Sequence, residues 1–170
     1  MIKALSAAEL VSMLGLKPHP EGGYFAETFR SATQLTLPDG RVRSAGTAIY
    51  FLLTPDTFSA LHRVASDEVW HFYEGAPLEI TTITAEGTLK TITHGGDLES
   101  NQVSQHVVPA GIWQGARPID EGASNNEDYS LVGCTVAPGF DFADFEMPTR
   151  AEFLLLFPEH AAAILKLTRE

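Results

Sequence analysis

The sequence predicts an all-β fold, a small barrel of short strands with helices only at its two ends. Three observations carry this. From Tyr24 to Val136, short stretches of β-forming residues recur, many alternating apolar with polar. Gly and Pro punctuate them at fairly even spacing. At 170 residues, the chain is long enough for one domain with a proper core and too short for two large ones.

The elements follow in order. Residues 6–16 form a helix. Ser6 and Glu9 make a capping box ahead of the stripe Leu10, Val11 and Leu14, and Gly15 stops it. Pro18-His19-Pro20-Glu21-Gly22-Gly23 is too rich in Pro and Gly for regular structure. Tyr24 to Arg30 alternates as a strand. Leu37-Pro38-Asp39-Gly40 turns between two extended stretches. Strands then fit Thr47–Leu53, Ala60–Val64, Glu68–Tyr73, Leu78–Thr84, Leu89–Thr93, Val103–Val108 and Ser130–Val136, with Glu86-Gly87 as a hairpin turn. Ile119 to Asp128 is polar and reads as a flexible tip. Thr149 and Glu152 form a second capping box, opening a helix to Phe157. Pro158 starts a last helix, so that helices occupy about 149–168.

Composition narrows the function. Hydrophobic residues are 44% and charged residues 19%, a globular balance. The net charge of −11 and the absence of a Lys/Arg cluster argue against nucleic acid and against an acidic membrane surface. The single cysteine, Cys134, lies in an apolar run and reads as a small buried hydrophobe. There is no signal-peptide pattern and no membrane-length apolar run. A cytoplasmic protein is expected.

Two segments carry a family resemblance. Leu61-His62-Arg63-Val64-Ala65-Ser66-Asp67-Glu68, continuing to Tyr73-Glu74-Gly75, resembles the first cupin motif, with His62, Glu68 and Gly75 in place and Val64 where a second His belongs. Val108-Pro109-Ala110-Gly111-Ile112-Trp113-Gln114 resembles the second motif, with Gln114 at its final His. Together with Pro18–Phe25, Asp67–Phe72 and Ala137–Phe142, they make the chain similar to an uncharacterised cupin family related in fold to dehydrorhamnose epimerases. The likeness runs from about Leu14 to Phe157. It implies a double-stranded β-helix barrel and a homodimer, and it supplies no settled activity.

Strand parity then sets a pocket. If Glu68 points into the barrel, Trp70 and Phe72 do too, while Val69, His71 and Tyr73 face away. His62 and Glu68 are the catalytic candidates; Gln114, Trp70, Phe72 and Tyr24 are the ligand-binding ones. Three readings stay open. A divalent ion wants three or four protein ligands, and His62 with Glu68 offers two, so no cofactor is expected; partial metal occupancy there is the competing outcome. Metal-free acid/base chemistry on a sugar-like or keto substrate would use His62 as base, with Glu68 or Asp67 orienting it and Tyr24 or Tyr50 protonating the opposite face. A module that binds a small ligand without turnover would use the same pocket. Glu21 and Glu27 read as solvated carboxylates, with Arg30 or Arg63 as salt-bridge partners.

Overall fold

The computed structural model describes residues 5–119 and 129–170; most of the polar tip expected at 119–128 lies outside them. Helix α1 (Ala7–Met13) carries the Ser6–Glu9 capping box. The strands are β1 (Lys17–Pro18), β2 (Tyr24–Arg30), β3 (Gln34–Thr36), β4 (Val42–Ser44), β5 (Thr47–Leu53), β6 (Ser59–Val64), β7 (Asp67–Gly75), β8 (Leu78–Ile83), β9 (Leu89–His94), β10 (Gln105–Val108), β11 (Trp113–Pro118), β12 (Ser130–Ala137) and β13 (Phe145–Glu146). Helices α2 (Arg150–Leu156) and α3 (Ala161–Lys166) close the chain, α2 behind the Thr149–Glu152 box.

The strands form two main sheets, ordered β1-β2-β5-β12-β7-β10 and β13-β6-β11-β8-β9, and β3 with β4 makes a separate hairpin. All pairings between these strands are antiparallel. The sequence reading misses β11, because Gly115 and Pro118 break its pattern. It also misses β1, a two-residue pairing inside the segment expected to be irregular. Among the described residues, no helix is long and apolar enough to cross a membrane.

Alternation along β5 decides the layering. Phe51 and Leu53 point between the sheets, into a core with Trp70, Leu78, Ile80, Val108, Val132 and Cys134. Leu52 points outward, under α1, with Leu10, Leu16 and Leu131. On the other sheet, Leu61, Ile83 and Trp113 face outward and are covered by Phe153, Phe157, Ile164 and Leu167. The terminal helices thus seal the outer faces, each buried Leu or Phe contributing about 1.5–3 kcal/mol of transfer free energy. With their backs covered, the two sheets keep their polar inward residues for one cavity.

Candidate functional site

That cavity has a volume of about 270 Å³. Its floor comes from three places in the chain: the β1–β2 turn, β6, and the adjacent strands β7 and β12.

Registry aligns the motif residues. Gln114 sits opposite His62 across β11 and β6. Glu68 lies between Val108 of β10 and Val136 of β12. His62, Glu68 and Gln114 are all buried. The Gln114 amide is locked: its oxygen accepts the Trp70 indole N–H at 2.9 Å, and its nitrogen donates to Glu68 Oε2 at 2.5 Å. Gln114 and Trp70 therefore fix the rotamer of Glu68. Trp70 is part of the core, and Phe72 packs beside it against His94; neither is among the residues lining the cavity. Tyr24 is a correction. Its ring packs in the outer layer under α1, as does Tyr50, and its neighbour Phe25 lines the cavity. Adjacent residues of a strand point to opposite faces, so only one of the two can look inward. Asp67 is directed to the Ala110 amide instead of His62.

The residue that contacts His62 is Glu21, read from the sequence as solvated and in fact buried. Its Oε2 lies 3.3 Å from His62 Nε2 and 3.5 Å from His19 Nδ1, and its Oε1 accepts the Ser59 hydroxyl at 2.9 Å. Local backbone explains how it gets there. Gly22 and Gly23 both have positive φ, +117° and +66°. A Cβ on Gly22 would strike the Phe58 carbonyl, and one on Gly23 the Leu52 carbonyl. Only Gly at both positions allows this tight reversal, which swings Glu21 inward. Arg169, near the C-terminus, clamps the turn by donating to the Pro20 and Glu21 carbonyls at 3.0 and 2.6 Å. The clue in the sequence was Glu21-Gly22-Gly23 itself, but nothing local says where such a turn points.

Hydrogen bonds fix the tautomers. His62 Nδ1 donates to the Ala60 carbonyl at 2.7 Å, leaving a lone pair on Nε2. His19 Nδ1 accepts the Glu21 backbone N–H at 3.2 Å, which uses its one lone pair. Glu21 Oε2 faces the His62 Nε2 lone pair, an arrangement that suits a protonated carboxyl. Burial agrees: it pushes Glu21 up to about 8, against weaker lowering by Ser59 and Arg169. Burial also raises Glu68, opposed by His62. It lowers His62, opposed by Glu68, and holds His19 down to about 4. The Cys134 thiol, buried beside Glu68, is pushed up and stays protonated.

Above the floor the walls are apolar: Phe25, Ile49, Val64, Val136, Phe140 and Phe142. Phe145 stacks on the His62 ring at 5.3 Å. The segment bearing Phe140 and Phe145 is pinned by Asp144, which takes Arg43 at 2.7 Å and Arg41 at 2.5 Å, and by Arg30, which donates to the Phe140 carbonyl. Arg30 also forks onto Glu27 at the rim, and Arg63 pairs with Glu146.

A metal site of the kind the cupin resemblance implies would need imidazole and carboxylate donors beside His62 and Glu68. Val64 offers no donor atom, the Gln114 oxygen is spent on Trp70, and no set of three acidic, His or Cys side chains among the described residues could hold an ion. The residues present do not fit a resident metal.

Residues 8–148 match the family model described as Cupin superfamily (DUF985), and the chain belongs to that family. A hypothetical protein from Leishmania major is 38% identical, with TM-score 0.92 over 98% of this chain and 100% of its own. The uncharacterized Saccharomyces cerevisiae protein YML079W is 29% identical over 94% of this chain and 84% of its own. Bacillus subtilis oxalate decarboxylase shares only the fold, at 15% identity and TM-score 0.55 over 93% of this chain and 36% of its own.

Proposed function

We propose that this cupin binds a small molecule in its barrel and moves a proton on it by metal-independent acid/base chemistry, as an epimerase or isomerase of a sugar-like or keto substrate does. One observation carries the reading: a buried imidazole with an unprotonated Nε2 and two buried carboxyls share the floor of a cavity of about 270 Å³. His62 Nε2 takes the proton from a carbon beside a carbonyl. Its orientation is set by the Ala60 carbonyl and by Glu21, in the place the sequence assigned to Glu68 or Asp67. Glu68, whose pKa burial raises and whose carboxyl Gln114 aims, returns a proton from another side. This replaces Tyr24 and Tyr50 as the acid. Phe142 and its neighbours exclude water and stack on the ligand body. From the family resemblance we also propose a homodimer, which sedimentation at micromolar concentration tests.

The test is a thermal-shift screen of free sugars, amino sugars, keto acids and aromatic amines, followed by deuterium exchange from solvent into the hits. Turnover puts deuterium at the carbon beside the carbonyl, and His62→Asn stops it while leaving binding nearly intact. Exchange undiminished in the variant removes His62 as the base. Binding without any exchange in the unaltered protein leaves a binding module.

A further inference from the structure

Two carboxyls and two imidazoles gather at the floor of the cavity. His62 Nε2 turns its lone pair toward Glu21 Oε2, while His19 Nδ1 accepts the Glu21 backbone N–H. Glu68 adds a second carboxyl, held in place by the Gln114 amide. The charged groups around them complete the picture. The β1–β2 turn brings His19 and Glu21, β2 brings Glu27 and Arg30, β6 brings His62, β7 brings Glu68, β12 brings Cys134, and the following segment brings Asp141. Of these only Arg30 is cationic, and Glu27 holds it in a two-bond fork at the rim, at 2.9 and 2.6 Å. Arg169 spends its donors on backbone carbonyls outside the cavity. Among the described residues, the two buried carboxyls thus have no cation in contact, and the space over them is walled by aromatic rings whose faces attract positive charge.

We propose that the ligand carries a cationic amino group, whose ammonium sits between Glu21 and Glu68 while its apolar or ring portion lies against Phe25, Phe140 and Phe142. The proposal rests on the small-ligand reading above. An ammonium offers three N–H donors and a positive charge, the complement of two carboxyl groups. An anionic ligand would face those carboxyls while Arg30, the cation of the lining, is already forked onto Glu27. Binding has a chemical balance. The ammonium keeps its proton, Glu21 loses its carboxyl proton to solvent, and Oε2 then accepts an N–H of the ligand. Affinity therefore rises with pH up to about 8, where Glu21 ionises unaided.

Three probes of one skeleton test this: 2-phenylethylamine, 2-phenylethanol and phenylacetate, titrated calorimetrically into the full chain in buffers of different ionisation enthalpy. The amine is expected to bind at least about tenfold more tightly than the other two, to release close to one proton at pH 6.5, and to tighten toward pH 8. Glu21→Gln, nearly isosteric, is expected to weaken the amine about tenfold and to abolish proton release, leaving the alcohol unchanged. Tighter or equal binding of the alcohol or the acetate overturns the proposal, as does amine binding without proton release. If none of the three binds and the broader screen yields only ligands without an amino group, the amino-group inference fails and the site reading stands. If neither yields one, both fall.

Discussion

His62 and His94 are buried to a similar degree inside the same barrel, yet their surroundings differ in kind. His62 has a carbonyl on one nitrogen, a carboxyl on the other, and a cavity in front of it. His94 meets Trp70 and Phe72 with its ring nearly perpendicular to each, with no partner among the described residues for either nitrogen. The Val103 backbone is close enough to favour its charged form slightly but not in bonding geometry. Burial alone therefore does not make a functional histidine. What distinguishes His62 is a set of neighbours that fixes its tautomer and sets its unprotonated nitrogen beside a carboxyl at the floor of a cavity. His94 is held neutral, at about 4, by desolvation, and acts as packing with an energetic cost.

The strongest way to break this comparison is at Gln114. Gln114→Leu strands the Trp70 N–H and the Glu68 carboxyl at once, and is expected to cost about 2–4 kcal/mol in urea unfolding at pH 7. A loss under about 0.5 kcal/mol would mean the Trp70–Gln114–Glu68 chain does not hold the floor together.

Glu21 sharpens it through pH. Its folded pKa of about 8 lies above the ordinary 4.5, so its favourable contribution is complete below pH 4.5 and is lost as pH rises toward 8. Glu21→Gln does not titrate. It should gain on the unaltered protein between pH 5 and 8, by on the order of 2 kcal/mol or more, given about 1.4 kcal/mol for each pH unit of displacement. Parallel stability curves for the two proteins would show that Glu21 ionises normally.

At the other end, His94 has the opposite sign. Its folded pKa lies below 6.5, so the stability it contributes is present above that pH and is lost as pH falls toward 4. His94→Leu should flatten this acid limb and raise stability at pH 5 by about 1 kcal/mol, because two unpaired polar atoms are removed. Substrate exchange should not change. If the Leu variant is less stable at pH 5, an unseen partner satisfies the ring.

The smallest effect belongs to the rim. Arg63→Ala removes the exposed pair with Glu146 and the stacking on Trp113 at 4.3 Å, and should cost about 0.5–1 kcal/mol in thermal unfolding, less at high salt.

Much of the fold was legible because its signals are local. The Ser6–Glu9 and Thr149–Glu152 boxes start helices where expected, since a capping box needs only residues three apart. The strand Thr47–Leu53 is bounded as read, because its β-formers end at Thr54-Pro55. The site was half legible. Spacing singled out His62, Glu68 and Gln114, and parity turned Trp70 inward. Spacing cannot say what a group touches, so Gln114 stood as a ligand-binding candidate when its amide is committed to Trp70 and Glu68.

By itself, then, the sequence determined the strand periodicity, the helix starts, the two motif strands and the acidic surplus, all of which depend on neighbours a few residues apart. The tertiary structure alone decided that Glu21 is buried against His62, that Phe25 rather than Tyr24 lines the cavity, and that Arg169 holds the turn in place. These are contacts between segments far apart in the chain, set by how two twisted sheets and their covering helices pack, and a carboxyl acquires its burial and its proton only when those surfaces close around it.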